Sequence, residues 1–265
     1  ADMDFSRWRN LIIDMDGVLW EGQTPLPGLL PFFAAVRSTG RAFVLATNNA
    51  GLTIDQYVAR LGKLGVAVSA AEVLNSAEAT ADWLMERAPG ARLSVIGGPG
   101  LLDALTRRDF QLVDSDVDYV VVGKDYGLTW HKLDAAVLAI GSGAQLVGTN
   151  PDVTYPIENG LGIGNGAILA ALTAATGAVP IIIGKPEPIM YRQALARMQC
   201  TAASTLAVGD RLDTDILGAE RAGIASVLLL SGIATAAQAA GSSVQPTVVL
   251  QGLPELTAAL LAAPG

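Results

Sequence analysis

Leu11-Ile12-Ile13-Asp14-Met15-Asp16-Gly17-Val18-Leu19 is the stretch on which the reading of this 265-residue chain turns. A short apolar run of this kind predicts a buried strand, and it leads straight into two carboxylates one residue apart. In extended backbone, positions i and i+2 face the same side, so Asp14 and Asp16 converge at the strand's carboxyl end, where open α/β sheets place their ligands. Two anions that close repel. Either one carboxyl is protonated or a cation sits nearby. A metal would keep Asp14 ionised as a nucleophile, while Asp16 could hold a proton to donate. Gly17 allows the chain to turn sharply. The competing reading is an ordinary turn in which aspartates cap a helix, but Val18 to Glu21 shows no obvious helix start.

Outward from this point, apolar runs alternate with amphipathic stretches over nearly the whole length, the pattern of parallel α/β architecture. Leu11 to Asp14, Ala42 to Ala46, Ile181 to Ile183, Leu206 to Val208 and Val227 to Leu230 read as strands. Pro27 to Arg37, Ile54 to Leu64, Ile189 to Met198 and Asp215 to Arg221 read as helices, and Gly40, Gly65 and Gly223 follow three of them as stop signals. The tail adds strand Thr247 to Leu250 and helix Leu253 to Leu261. The middle is a second alternating series, with strands near Leu93 to Ile96, Tyr119 to Val122 and Leu146 to Val147 and helices near Leu101 to Leu105 and Leu133 to Ile140. The expected organisation is a Rossmann-like parallel-sheet core built from residues 1–78 and 181–265, with residues 79–180 inserted as a smaller α/β domain.

Three more predicted strand ends carry polar groups. Thr47-Asn48-Asn49 follows Phe43 to Ala46 and offers a hydroxyl, amides and backbone NH groups suited to gripping phosphoryl oxygens, although Thr and Asn are also ordinary loop residues. Lys185 comes directly after Ile181-Ile182-Ile183-Gly184, where its fixed charge would offset both phosphate and aspartate. Gly209-Asp210-Arg211-Leu212-Asp213-Thr214-Asp215 follows Leu206 to Val208. Magnesium takes oxygen ligands and keeps several waters, so Asp210 fits a direct ligand and Asp215 one acting through water. Asp213 reads as an N-cap or first-turn acid.

Composition bounds the rest. A net charge of −8 argues against nonspecific nucleic-acid binding, since phosphate backbones attract basic surfaces. A single site can still be locally positive. One cysteine, Cys200, and one histidine, His131, cannot build a disulfide, a zinc cluster or a catalytic triad repeated elsewhere, and a reducing, cytoplasmic setting fits best. Ala1 to Asn10 reads as neither signal nor anchor. The uncharged stretch Gly160 to Gly184 divides at Asn165, Gly177 and Pro180 into pieces too short to span a bilayer. The glycines at 98–100 and 162–166 lack a dinucleotide fingerprint and read as turns.

The four segments taken together resemble the haloacid dehalogenase superfamily. Asp-Met-Asp-Gly-Val-Leu-Trp (14 to 20), Thr-Asn-Asn (47 to 49), Gly-Thr-Asn-Pro-Asp (148 to 152), Gly-Lys-Pro (184 to 186) and Gly-Asp-Arg-Leu-Asp-Thr-Asp-Ile (209 to 216) are similar to its subgroup of NagD, 4-nitrophenyl phosphatase and pyridoxal phosphatase. Ala50 departs from that subgroup, where serine often follows Thr-Asn-Asn. The resemblance implies an inserted cap of the C2 type and a magnesium-dependent phosphatase acting on small phosphorylated metabolites. It implies that Asp14 attacks phosphorus and that Asp16 protonates the leaving oxygen and later activates water. Thr47, Asn48 and Asn49 would bind phosphate, and Lys185 would stabilise the nucleophile. Magnesium would sit on Asp14, the backbone carbonyl of Asp16 and Asp210. By location after a strand, Asn150 and Asp152 are expected to face the substrate. A homodimer through the cap is expected by analogy, while the composition points to no nucleic-acid or membrane partner. The leaving group stays open among phosphoglycolate, glycerol phosphate, pyridoxal phosphate, nucleotides and sugar phosphates. A dehalogenase would need neither Asp16 nor the acids at 210 and 215. A phosphoacceptor signalling module would be shorter and lack the inserted middle.

Overall fold

The computed structural model of the protein describes residues 4–157 and 160–263. The chain forms two compact units. One comprises the chain up to Thr47, Tyr57–Leu74 and everything from Lys185, and the other comprises Asn48–Gln56 and Asn75–Gly184.

The first unit is built on a six-stranded sheet. Its order is Val248–Leu250, Ala225–Leu229, Thr205–Gly209, Asn10–Ile13, Ala42–Thr47 and Val73–Asn75. The register is parallel, with Ile13 opposite Val208 on one side and Leu45 on the other. Leu11, Ile13, Leu45, Leu206 and Leu228 are fully buried, as expected for parallel strands covered on both faces. Each such side chain contributes on the order of 1.5–3 kcal/mol by leaving water. From Asn10–Ile13 the chain first builds one half of the sheet and later returns to build the other. The reversal falls at the carboxyl end of this strand, the place where such sheets bind ligands. At the opposite end of the unit, buried Arg41 donates to the carbonyls of Phe5, Trp8, Leu260 and Ala263, tying the first turn to the last helix, Leu253–Ala262.

The second unit has its own five-stranded parallel sheet, ordered Ile181–Ile182, Gln145–Gly148, Tyr119–Val122, Arg92–Ile96 and Gln111–Leu112. Helices Trp130–Gly141 and Asn165–Thr176 cover it, closing a core of Ile96, Val120, Val122, Leu146, Leu169 and Leu172. Helix Ser76–Arg87 is held through Glu78, whose carboxylate pairs with Arg107 and, at 2.7 Å, with Arg108. An antiparallel hairpin, Thr154–Ile157 with Gly160–Ile163, was not signalled by the sequence, because glycine and proline interrupt both strands. No helix among the described residues is long and apolar enough to cross a membrane.

One strand sits elsewhere than expected. Ile181–Ile182 pairs with Val147 and Gly148 in the second sheet rather than lying in the first. Three consecutive isoleucines mark a buried strand but do not say which sheet buries it. This strand, the start of helix Ser76–Arg87 and the separate segment Asn48–Gln56 make the second unit wider than residues 79–180. Cys200 is half-buried, with Sγ 3.4 Å from Thr205 Oγ1, and His131 is exposed.

Candidate active site

Within the first unit, three carboxylates and one ammonium meet at the carboxyl ends of the central strands. Asp14 ends its strand with its NH donating to Val208 O at 2.8 Å. Its Oδ1 accepts from Lys185 Nζ at 2.5 Å, and the same ammonium donates to Asp215 Oδ1 at 2.7 Å and to Ala46 O at 3.0 Å. Lys185 is therefore delivered by the segment that re-enters the first unit, ahead of helix Pro188–Met198, and not by a core strand end as the sequence suggested.

Asp215 holds the loop of Asp210 in place. After Gly209 the chain makes a wide five-residue turn, Leu212–Ile216, before helix Leu217–Arg221, where a helix from Asp215 was expected. Such widened turns recur at functional sites because they redirect a side chain. Here the turn brings Asp215 Oδ2 back to accept from the NH groups of Asp210 and Arg211 at 3.3 and 3.1 Å. Tyr191 fixes the same residue by donating to Asp215 O at 2.8 Å. A Cβ on Gly209 would lie 2.2 Å from Asp215 Cβ, so only glycine permits the fold-back. Asp213 points away into an exposed ion pair with Arg211.

Asp210 Oδ2 accepts from Ile233 N at 2.8 Å, whereas Oδ1 is buried and has no hydrogen-bond partner among the described residues. An orphaned carboxylate oxygen is costly unless something is meant to meet it. Glycine leaves room for the carboxylate on two sides: a Cβ on Gly17 or Gly232 would come within 2.2 or 2.0 Å of its other oxygen, Asp210 Oδ2. One oxygen from each of Asp14, Asp210 and Asp215 lies within 4.8 Å of the others. This all-oxygen cluster fits a hard divalent cation.

The electrostatics point the same way. Burial, reinforced by Asp215, Asp210 and Asp16, pushes the Asp14 carboxyl well above its usual range, although Lys185 opposes the shift. Burial and then Asp215 raise Asp210 to about 7. Burial opposes the charge on Lys185, but Asp14 and Asp215 outweigh it and hold the ammonium well above its ordinary value. One lysine does not neutralise three acids, so a further positive charge would be stabilised here.

Asp16 is not one of the three clustered carboxylates. It is exposed, and its Oδ1 accepts from the indole Nε1 of fully buried Trp20 at 2.9 Å. Thr47 is buried at the neighbouring strand end and is hydrogen-bonded to the hydroxyl of Tyr57, a side chain whose ionisation burial strongly opposes. Tyr57 escaped the sequence reading because a tyrosine on an amphipathic helix looks like ordinary packing.

The remaining expected residues belong to the second unit, where they form a structural knot. Asn150 is buried, donating to Asn48 O at 2.8 Å and accepting from Asp152 N at 3.1 Å. Asp152 Oδ2 accepts from Asn48 Nδ2 at 3.1 Å, and Asn49 Oδ1 turns back to Gly51 N at 3.0 Å. The Asn150 amide thus holds the 48–49 segment through Nδ2 while its Oδ1 holds the backbone at Asp152.

Sequence comparison bears on this geometry. The haloacid dehalogenase-like hydrolase profile matches residues 11–111, and a second profile, HAD-hydrolase-like, matches residues 182–256. An acid sugar phosphatase of Staphylococcus saprophyticus is 35% identical, covering 94% of this chain and 96% of its own. The chain belongs to the haloacid dehalogenase-like hydrolase family. Its solved neighbours include phosphatases. 4-Nitrophenylphosphatase from Thermotoga maritima superposes with a TM-score of 0.93 at 32% identity, covering 97% of this chain and 98% of the other. NagD from Escherichia coli gives 0.88 at 32% identity, covering 94% and 98%. Glycerol phosphate phosphatase from Mycobacterium tuberculosis, solved in complex with calcium, gives 0.88 at 35% identity, covering 96% of this chain and 76% of that one. The fold is thus a parallel-sheet core with an inserted α/β cap, and the enzyme class is phosphoric monoester hydrolase.

Proposed function

We propose that this chain hydrolyses small phosphate monoesters through a phosphoryl group carried transiently on Asp14. The observation that carries this reading is the pairing of Asp14 with Lys185 beside the orphaned oxygen of Asp210. It is a nucleophile with its counter-charge in place and a carboxylate oxygen that a cation could meet. We assign the cation as magnesium, held by Asp14 and Asp210, with the Asp16 backbone carbonyl as the family resemblance implies. Asp215 supports it by fixing Lys185 and the Asp210 loop. Bound there, magnesium supplies positive charge that keeps Asp14 ionised and offsets charge on the phosphoryl oxygens.

The steps follow from the residues. An oxygen of Asp14 forms a bond to phosphorus as the bond to the leaving oxygen breaks, and that oxygen takes its proton from the Asp16 carboxyl. Water then attacks phosphorus and passes a proton to the Asp16 carboxylate, the bond to Asp14 breaks, and phosphate leaves. One difficult displacement becomes two easier ones. Lys185 offsets charge on Asp14 throughout, and Thr47 offers its hydroxyl to the phosphoryl oxygens. The second unit serves as the cap that selects the leaving group, with Asn48, Asn49, Asn150 and Asp152 bracing the segment that follows Thr47. The names of the relatives favour sugar phosphates, glycerol phosphate and aryl phosphates as substrates, and the single cysteine favours a cytoplasmic setting.

Phosphate release from 4-nitrophenyl phosphate, with and without magnesium, tests the proposal. Asp14→Asn should lose activity by at least about 10³-fold, since covalent catalysis has no substitute nucleophile here. Quenched Asp16→Asn should carry a phosphoryl group on the peptide containing residue 14. Turnover by Asp14→Asn close to that of the parent would sink the reading.

A further inference from the structure

The pairing of Asp16 with Trp20 continues outward. Arg60 stacks over the Trp20 indole, with its guanidinium carbon 4.0 Å from the ring centroid, and donates to Gly22 O in the turn between the short strands Trp20–Glu21 and Thr24–Pro25. Trp20 has no solvent exposure, so its NH is committed to Asp16 with no water competing for it. A cation over an indole face draws electron density from the ring and strengthens the edge NH as a donor. Tyr57 lies three residues before Arg60 on helix Ile54–Lys63 and reaches Thr47, so one helix face supports both groups.

We propose that Trp20 and Arg60 are positioning residues that fix the Asp16 carboxylate for proton transfer, the indole NH pinning one oxygen so that the other meets the leaving group. The inference rests on the acid–base role given to Asp16 above. An exposed aspartate in a turn samples several rotamers, and proton transfer requires hydrogen-bond reach of a defined atom. The indole selects one rotamer. Arg60 holds the indole and closes the hairpin that carries it.

The test compares two esters that differ in their need for a proton. Glycerol phosphate must have its leaving alkoxide protonated, whereas 4-nitrophenolate departs readily as an anion. For both, kcat/KM reports steps up to departure of the leaving group, so slow hydrolysis of the intermediate does not enter. Trp20→Phe keeps the ring and removes the NH, and Arg60→Met keeps the stem and removes the charge. Each should lower kcat/KM on glycerol phosphate by about tenfold or more, part of the 10²–10⁴ that general acid catalysis supplies. The loss on 4-nitrophenyl phosphate should be less than about threefold, and Arg60→Lys should restore most of the difference. Circular dichroism and the melting temperature check folding. If Trp20→Phe fails to fold, the half-buried Arg60 pair decides. Folded variants that keep the parent's ratio between the two esters, while Asp16→Asn loses glycerol phosphate turnover, would overturn this inference alone. Asp16→Asn with full activity on glycerol phosphate would overturn the acid–base role and this inference with it.

Discussion

At the scale of single residues, the site is defined by what burial does to charge. Asp210 is held near 7 against an ordinary aspartate value of 3.8, and Asp14 is displaced in the same direction. Between those values the folded chain binds protons that the unfolded chain has lost. The contribution of Asp210 to stability is therefore fully present below about 3.8 and is lost as pH rises through about 7. The metal-free protein should melt at a higher temperature at pH 5 than at pH 8, by an amount corresponding to a few kcal/mol. Asp210→Asn should flatten this dependence. Magnesium at pH 8 should restore the parent's melting temperature and leave Asp210→Asn unmoved. Melting curves in chelator, followed by addition of metal, check all three. A parent protein that gains stability from pH 5 to pH 8 without metal would show that the folded chain holds these acids ionised on its own, against the upward shift.

At the scale of elements, legibility followed the local signals. Asp14 and Asp210 were readable as neighbours because each ends a short buried run, and a parallel sheet sends every such run to one rim. Lys185 was readable as a charge that meets Asp14 but not as to its origin, since Ile181–Ile182 is a strand of the second sheet. The pairing of Asp16 with Trp20 was hidden because the contact depends on how the turn between them closes. Gly17 is where that closure is decided. Its φ is +80°, a region that disfavours side chains, and a Cβ there would meet Asp210 Oδ2 at 2.2 Å. Gly17→Ala should cost about 1–2 kcal/mol from the backbone alone. Displacement of the Asp210 carboxylate should also weaken magnesium activation by about tenfold or more, the scale seen when a metal ligand's support is lost. A magnesium titration of activity separates the effects: a lower melting temperature with an unchanged half-saturating concentration would mean that strain acts alone.

At the scale of the whole molecule, the chain passes between its two units at 47–48, 56–57, 74–75 and 184–185. Thr47 and Lys185, two of the groups assigned to the phosphoryl site, are the first-unit residues at two of these crossings. Every charged group assigned to the cation site or paired with its ligands, Asp14, Lys185, Asp210 and Asp215, lies in the first unit. The second unit has a separate sheet and a separate apolar core. A ligand stabilises the cooperative unit that binds it, by about 2.7 kcal/mol at a hundred times its dissociation constant. Hydrogen exchange should therefore show magnesium slowing amides at residues 10–20, 205–217 and 231–234. Amides in strands Arg92–Ile96, Tyr119–Val122 and Gln145–Gly148 should exchange at unchanged rates. An equal slowing in those strands would mean that the two units open together and that the cation's stabilisation is shared by the entire chain. Slowing confined to the first unit would leave the second free to vary in stability, and so in its choice of leaving group, without disturbing the chemistry at Asp14.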